Sequence, residues 1–341
     1  MAEILTAIGA PVEATFSAAT TWQTAMKRAI RSGRELCSTL QISAEMTSSS
    51  AETDFPVFAP REYVHRMTAG DPYDPLLLQV LSTAQEMTPQ PTALLDPVGD
   101  QGAERLPGLL QKYDRRALLI TTGACAVHCR YCFRRHYPYH SAPVGRTGWQ
   151  PALDQIAGDR TLDEVILSGG DPLTLADSSL AWLVARIGEI PHIRRLRIHT
   201  RLPVVIPQRV CAELLKWLQA SPLPVFFVLH FNHAAEIDPS VEQALRQLRQ
   251  AGATLLNQAV LLHGVNDSLD AQRDLCLALV NQQVLPYYLH QLDPVQGAMH
   301  FAVPDEHALA IVKELAHHLP GYAVPKLVRE IAGEPSKRRL G

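Results

Sequence analysis

Short apolar runs and longer amphipathic stretches alternate along the chain from residue 117 onward. The apolar runs predict six β-strands, at 117–121, 164–167, 196–199, 225–229, 255–262 and 285–289. Helices are predicted between them, at 151–158, 176–188, 207–219, 239–251 and 268–283. Strand–helix alternation of this kind is typical of a parallel sheet with right-handed crossovers.

The predicted elements divide the chain into three parts. Residues 1–105 lack the alternation and predict a helical or irregular N-terminal region, with one amphipathic helix at 21–40. Six strand–helix units within 106–300 favour an incomplete (β/α)6 barrel over a complete barrel of eight. Residues 301–341 form a C-terminal segment. The predicted fold class is therefore α/β.

Composition narrows the classes of function. A chain of 341 residues with 47% hydrophobic residues is long enough to bury a sizeable core. The net charge of −3 argues against a nucleic-acid binder. We expect no membrane partner and a cytoplasmic protein, because neither a transmembrane run nor a signal-peptide pattern is present. Three scattered cysteines, Cys37, Cys211 and Cys276, do not suggest a disulfide framework.

The other three cysteines are clustered, at Cys125, Cys129 and Cys132, in a C-x3-C-x2-C spacing. Three thiolates without a fourth suggest a four-iron, four-sulfur cluster with one open iron, because such clusters normally take four cysteines. The alternatives are three buried thiols or a zinc site completed by His128 or His136. The spacing resembles the signature of the radical S-adenosylmethionine (SAM) superfamily.

Polar segments follow the carboxyl ends of the predicted strands, where parallel barrels carry their chemistry. They are the cysteine loop and residues 168–172, 199–201, 230–233, 257–258 and 290–293. In Ser168-Gly169-Gly170-Asp171 the glycines would let the backbone approach a ligand, and Asp171 would take an ammonium group. The alternative is an ordinary strand-to-helix turn. In the radical SAM superfamily, this segment contacts the methionine part of the cofactor.

A basic run surrounds the cysteine loop. Such a run could bind carboxylates or phosphates, although most charged runs simply form a solvent-exposed surface. Its members are Lys112, Arg115, Arg116, Arg130, Arg134 and Arg135. Proximity to the cysteines favours a functional role for Arg134 and Arg116.

Several motifs occur in one order that resembles the lysine 2,3-aminomutase family. They are the segments 113–116, 125–136, 167–172, 197–201, 257–262 and 286–290. The resemblance runs from about residue 60 to the end, and residues 1–50 carry none of it. It implies an isomerase that shifts the amino group of L-lysine by a radical 1,2-migration, with a [4Fe–4S] cluster, SAM and pyridoxal 5′-phosphate (PLP) as cofactors.

The resemblance also implies roles for individual residues. Cys125, Cys129 and Cys132 would bind the cluster, and Lys337 would hold PLP as a Schiff base, with Lys326 as the alternative. The segment 333–337 departs from the glycine run that precedes this lysine in longer members. Further cofactor contacts would come from Arg116, Ser168, Gly169, Gly170, Asp171, His230 and Gln258.

Two acids bear on the choice of substrate. By resemblance, Asp293 and Glu330 would bind the ε-ammonium of lysine, and Arg134 would hold its α-carboxylate. Two carboxylates favour lysine and repel glutamate. The alternatives are a helix cap or loop acid for Asp293 and a surface residue for Glu330, which stands where longer members have aspartate.

The chain ends four residues after Lys337, and this short form resembles the bacterial enzyme that makes (R)-β-lysine for elongation factor P. The implied partners are elongation factor P, its lysyl-transferring ligase and a flavodoxin-like one-electron reductant. The alternatives are an aminomutase that feeds other lysine metabolism, a radical SAM enzyme without PLP, and a non-enzymatic iron–sulfur carrier or sensor.

Overall fold

A computed structural model describes residues 21–341, and ten strands form one sheet in which each strand pairs with its neighbours in sequence. The strands are β1 (Glu104–Leu106), β2 (Leu109–Leu110), β3 (Arg116–Thr122), β4 (Glu164–Gly169), β5 (Arg195–Thr200), β6 (Val225–Leu229), β7 (Thr254–Val260), β8 (Leu285–His290), β9 (Lys326–Arg329) and β10 (Arg338–Arg339). Strands β3 to β9 are parallel, whereas β1, β2 and β10 pair antiparallel at the two edges.

Twelve α-helices lie in the described part of the chain. They are α1 (Trp22–Lys27), α2 (Gly33–Thr39), α3 (Ser49–Asp54), α4 (Arg61–Val64), α5 (Pro75–Leu78), α6 (Gly145–Gly158), α7 (Asp177–Gly188), α8 (Leu202–Val205), α9 (Ala212–Gln219), α10 (Pro239–Gln250), α11 (Leu269–Asn281) and α12 (Asp305–His318). None of the helices within residues 21–341 is long and apolar enough to cross a membrane.

The predicted partial barrel is confirmed. The six predicted strands correspond to β3 to β8, and each is followed by a crossover that contains one of α6, α7, α9, α10, α11 and α12. Sequence analysis missed α12 and the seventh parallel strand, β9, both of which lie in the predicted C-terminal segment. The division of the chain at residues 105 and 300 stays a prediction.

The predicted single helix over 21–40 is wrong. Two short helices, α1 and α2, occupy this stretch, and between them Ile30 exchanges two backbone hydrogen bonds with Ala59. Ser32 then begins α2, because its hydroxyl accepts the backbone N–H of Glu35 at 3.1 Å. The N-terminal part of the predicted helix range borders residues 1–20, which lie outside the described residues.

Alternation along the parallel strands separates an apolar face from a polar one. In β5, Leu196 and Ile198 are fully buried in the main core, whereas Arg197 and His199 line an interior cavity. The other parallel strands from β3 to β8 also contribute side chains to that cavity. The sheet therefore curls around a cavity lined by both polar and apolar side chains, while its outer face packs against helices.

The region before the barrel holds the cysteine loop in place. Backbone N–H groups of His128 and Arg130 donate to the carbonyls of Phe58 and Gln79, both at 2.9 Å. Residues on both sides of this contact belong to one continuous apolar core. The segment before β1 therefore serves as a support for the loop that follows β3.

Candidate active site

One cavity of about 450 Å³ occupies the interior of the curled sheet. Every residue that the sequence assigned to a site lies on its wall, namely Arg116, Cys125, Cys129, Cys132, Arg134, Ser168, Gly169, Gly170, Asp171, His230, Gln258, Asp293, Glu330 and Lys337. Lys326 does not line the cavity; it is exposed, with its ammonium 5.8 Å from the ring centre of Tyr287. The geometry therefore favours Lys337 over Lys326 as the lysine that meets a ligand here.

The three clustered cysteines lie on one loop, and all are partly buried and free of disulfides. Burial raises the pKa of Cys132 to about 11, and the neighbouring Cys129 adds to this effect. The pKa of Cys125 is also raised by burial and by the two other thiols. Thiols held this way are protonated at neutral pH until a metal displaces their protons. Cys125 and Cys132 are thus poor free nucleophiles, because the thiolate is the nucleophilic form.

The donor set fits an iron–sulfur cluster better than zinc. Within residues 21–341, no three His, Cys, Asp or Glu side chains converge on a point where they could hold a single ion. Nδ1 of His128 lies 2.8 Å from the carbonyl of Pro56, and Nε2 of His136 lies 3.2 Å from that of Gln296. No histidine of the described residues joins the thiols in a group that could hold a zinc ion. Three cysteines without a fourth match a four-iron cluster that keeps one iron open.

The glycine pair after β4 serves a packing role that sequence analysis did not foresee. A Cβ on Gly169, which has φ of +124°, would lie 2.4 Å from the carbonyl oxygen of Thr122. A Cβ on Gly170 would lie 2.3 Å from that of Ala124. Both collisions are with the backbone that begins the cysteine loop. The glycines line the cavity, but the close approach that requires them is between two protein segments.

Asp171 is engaged by the protein itself. Its carboxylate accepts the backbone N–H groups of Leu173, Arg201 and Leu202 at 2.7–3.0 Å and the hydroxyl of Thr200 at 2.7 Å. These bonds occupy both oxygens and tie the end of β4 to the end of β5. The observed contacts therefore favour a structural role over the predicted one, in which Asp171 takes an ammonium group.

Arg134 is held by an acid that sequence analysis did not single out. Its Nε donates to Asp100 at 2.6 Å, and its Nη1 donates to the hydroxyl of Ser168 at 3.0 Å. Asp100 also pairs with Lys112 at 2.7 Å. Burial alone would raise the pKa of Asp100, but Arg134 and Lys112 outweigh it and hold the pKa at about 2. The guanidinium is thus fixed at one edge, and its Nη2 has no hydrogen-bond partner among the described residues.

Glu330 and Lys337 form an ion pair on the cavity wall. The other Glu330 oxygen accepts the hydroxyl of Tyr113 at 2.7 Å and lies 3.5 Å from Nζ of Lys112. Burial would raise the pKa of Glu330, but Lys337 and Lys112 outweigh burial and lower it. Glu330 is therefore an ionised carboxylate that already binds a primary ammonium, the side chain of Lys337.

Asp293 lies beside this pair, and one oxygen of its carboxyl group lacks a hydrogen-bond partner. Its Oδ1 is shielded from solvent and has no partner among the described residues. Burial raises the pKa of Asp293 to about 7, against the lowering effect of the Lys337 ammonium, and Glu330 raises it further. A buried carboxyl group without a donor is costly, so this oxygen is positioned to receive a cation or a hydrogen-bond donor.

Neutral imidazoles and a stacked arginine complete the wall. Burial lowers the pKa of His199, His230 and His290 well below its usual range, so these rings are uncharged at neutral pH. Nε2 of His230 lies 3.0 Å from the hydroxyl of Tyr131. Arg116 stacks its guanidinium 4.9 Å from the ring centre of Tyr113, and its Nε is buried without a partner.

The basic run divides between the cavity and the protein interior. Arg130 and Arg135 both bind Glu86, which is buried, and Arg130 does not reach the cavity. Arg115 pairs with Asp163 and likewise does not line the cavity. The predicted basic ring is therefore wrong for Arg115 and Arg130, because acids from distant segments neutralise them and neither lines the cavity. Lys112, Arg116, Arg134 and Arg135 do line the wall.

Sequence analysis also missed acids that support the site. Asp100 lies in an irregular segment, and Glu236 follows β6, where both resemble ordinary loop acids. The only signal in the sequence was the excess of arginines near the cysteines, which requires counter-charges from elsewhere. Taken together, the cavity offers a guanidinium for a carboxylate, two acids for an ammonium, a lysine paired with one of these acids, and three thiols.

Comparison with known proteins shows close relatives along most of the chain. L-lysine 2,3-aminomutase of Escherichia coli (strain K12) is 47% identical over 322 residues, which are 94% of this chain and 94% of that protein. The L-lysine 2,3-aminomutase of Haemophilus influenzae is 45% identical over 93% of this chain and 94% of its own length. That of Clostridium subterminale is 37% identical over 81% of this chain but 66% of its own length. No protein-family model matches the chain.

Proposed function

We propose, because the chain belongs to the L-lysine 2,3-aminomutase family, that it converts (S)-α-lysine into (R)-β-lysine. The chain is an isomerase that uses a [4Fe–4S] cluster, SAM and PLP. When bound, the cluster and SAM supply hydrogen-abstraction chemistry, and PLP carries the migrating amino group. The protein aligns the substrate and keeps water away.

The observation that carries the choice of lysine is the pair of acids beside Lys337. Glu330 binds the Lys337 ammonium, and Asp293 has a buried oxygen without a partner. Lys337 would hold PLP through its side-chain nitrogen, and this nitrogen would then no longer offer Glu330 a free ammonium. The ε-ammonium of a substrate lysine would then supply the cation that both acids need. Glutamate would instead place its side-chain carboxylate, which is negatively charged, beside these two acids.

Arg134 fits the other end of the substrate. Its Nε edge is fixed by Asp100, and its unpartnered Nη2 remains for the α-carboxylate of the substrate. Cys125, Cys129 and Cys132 would hold the cluster. The phosphate of PLP would meet Arg116, which lies over the ring of Tyr113, or Lys112, which lies 3.5 Å from Glu330. These assignments share one cavity, so the substrate and both cofactors would meet there.

The experiment is anaerobic reconstitution with iron, sulfide, PLP, SAM and reductant, followed by chiral analysis of the products from lysine and from glutamate. We expect (R)-β-lysine, and kcat/KM lower by about ten- to a hundredfold in Asp293→Asn and Glu330→Gln, because a charge-assisted contact is worth about 1.5–3 kcal/mol. Lysine activity at the wild-type level in both variants would contradict the assignment. Cluster and PLP contents serve as controls.

A second measurement separates this proposal from a radical SAM enzyme without PLP. Borohydride reduction followed by peptide mapping should place PLP on Lys337 in the wild type. Lys337→Ala should lose the label and keep its iron, whereas Lys326→Ala should keep both. A label on Lys326, or no label at all, would contradict the proposed role of Lys337. Failure to cleave SAM would favour an electron carrier or sensor.

The proposed destination of the product is elongation factor P, in the cytoplasm, with its lysyl-transferring ligase and a flavodoxin-like reductant as partners. The match along 94% of the length of the Escherichia coli L-lysine 2,3-aminomutase supports the aminomutase step that this destination requires. Purified product should be attached to elongation factor P by the ligase in preference to α-lysine. If the ligase does not discriminate between the two, free β-lysine for other metabolism is the better interpretation.

A further inference from the structure

Arg201 is buried on the cavity wall beside the cysteine loop, with 6% of its side chain exposed. It follows the end of β5, and its backbone N–H donates to Asp171 at 2.7 Å. This anchor involves only the backbone, so replacing the side chain leaves it intact. The side chain itself plays no part in the proposed binding of lysine or PLP.

The Arg201 guanidinium contacts a thiol that the cluster would use. Its Nη1 lies 2.8 Å from Sγ of Cys129, at hydrogen-bond distance for a donor to sulfur. The guanidinium is surrounded by further acceptors at 2.6–3.1 Å, namely Tyr131, Tyr63, Gln79 and Glu236. These hydrogen bonds hold the guanidinium in one position.

Glu236 supplies the counter-charge and is fully buried. Its Oε2 accepts Nη2 of Arg201 at 3.0 Å, and its Oε1 accepts the backbone N–H groups of Asn232 and His233 at 2.8 and 3.0 Å. Different nitrogens of the guanidinium thus face the carboxylate and the thiol. The cation stands between Cys129 and Glu236.

A cluster that takes up one electron gains negative charge, and charges near its sulfurs then matter most. Reduction potentials of iron–sulfur clusters depend on net charge, on hydrogen bonds to sulfur and on solvent exposure. A buried cation that donates to a sulfur ligand stabilises the reduced state, and a buried carboxylate nearby opposes this effect. The low polarity of the surroundings strengthens both influences.

We propose that Arg201 and Glu236 are positioning residues that set the reduction potential of the cluster in opposite directions. Arg201 raises the potential through its hydrogen bond to Cys129, and Glu236 lowers it by partly neutralising that cation. The pair limits how strongly reducing the cluster becomes. This inference concerns the cluster alone, so it stands whichever amino acid the enzyme converts.

The test is a redox titration of the reconstituted cluster, followed by electron paramagnetic resonance, without SAM or lysine. In Arg201→Met, reduction should become about tenfold less favourable, which corresponds to a potential about 59 mV more negative for a one-electron couple. Arg201→Lys keeps the charge and should shift the potential less. Glu236→Gln keeps an acceptor for the backbone and should shift the potential to more positive values.

Arg209→Met is the matched control, because Arg209 is also a fully buried arginine but pairs with Asp177, and the sulfur it contacts, at 3.6 Å, belongs to Cys211 outside the cysteine loop. Its potential should equal that of the wild type. Shifts of the same sign in Arg201→Met and Glu236→Gln, or no shift in either, would overturn the proposal. If Arg201→Met binds fewer than four irons, the potentials of Arg201→Lys and Glu236→Gln test the proposal in its place. In that case, an unchanged potential in Glu236→Gln overturns the proposal.

Discussion

Asp293 differs from the neighbouring acids in what its oxygens touch. Glu330 and Asp100 both bind cations, whereas Oδ1 of Asp293 has no partner within residues 21–341. Its pKa of about 7 follows from burial, which penalises the charged form. At the scale of single residues, the site therefore holds one acid whose charge depends on what enters the cavity.

This acid makes stability depend on pH. The pKa of Asp293 is about 7 in the folded protein, above its value of about 3.9 in an unfolded chain. The folded state thus binds more protons between these values, so its stability falls as pH rises through this window. Asp293→Asn should remove this loss and be more stable than the wild type at pH 8, by up to about 4 kcal/mol.

The measurement is denaturant unfolding of the cofactor-free protein between pH 4 and pH 8. The two proteins should converge toward pH 4, where Asp293 is neutral in both states. Asp270→Asn, at an exposed aspartate paired with Arg273, is the control and should follow the wild type at every pH. Equal slopes in Asp293→Asn and the wild type would show that the carboxyl is not penalised by burial.

At the scale of elements, the two glycines fix how β4 meets the cysteine loop. Gly170→Ala would place a Cβ 2.3 Å from the Ala124 carbonyl, and such overpacking costs about 1–3 kcal/mol. The loop must move to relieve the contact, so the variant should melt lower and retain less iron after reconstitution. Gly158→Ala is the control, because a Cβ there meets nothing within 4 Å. Normal iron content in Gly170→Ala would refute the packing argument.

The elements of the barrel were predictable because each buried strand carries a run of apolar residues. The short strand β9 was missed, since Leu327 and Val328 alone contribute buried apolar residues to it. The predicted helix over 21–40 failed because periodicity does not reveal that Ile30 pairs with Ala59. Tertiary pairing of this kind overrides a local pattern.

The sequence predicted which residues line the cavity better than it predicted which partners those residues contact. Motifs identified the cavity wall, but the partners of Arg130, Arg134 and Arg201 come from segments far away in sequence. The carboxylates that neutralise them, such as Asp100 and Glu236, carry no local signal. Their roles depend on burial, which only the folded chain defines.

At the scale of the whole molecule, the segment before the barrel is joined to the cysteine loop by buried charges. Glu86 binds Arg130 at 2.6 Å and Arg135 at 3.0 Å, and all three side chains are at most 1% exposed. Glu86→Gln leaves both guanidinium groups without this charge. The free energy of unfolding should fall by about 3–5 kcal/mol, the cost of breaking a buried ion pair.

Glu35→Gln is the matched control, since Glu35 pairs with Arg61 at the surface, where both side chains are at least one third exposed. It should change the free energy of unfolding by about 1 kcal/mol or less. Guanidinium chloride unfolding of both variants tests the contrast. Equal losses would mean that the buried network does not join the two parts of the molecule.

The order of the strands has a consequence for how the protein is made. Each strand pairs with its neighbours in sequence, so a growing chain can add every new strand to an edge that already exists. The cysteine loop leaves the ribosome before Glu330 and Lys337, which follow it much later in the sequence. A chain that stops before residue 330 would therefore keep the thiol loop but lack the proposed PLP lysine and its acid. Under the proposed function, the cavity could act on an amine only after residue 337 has been added.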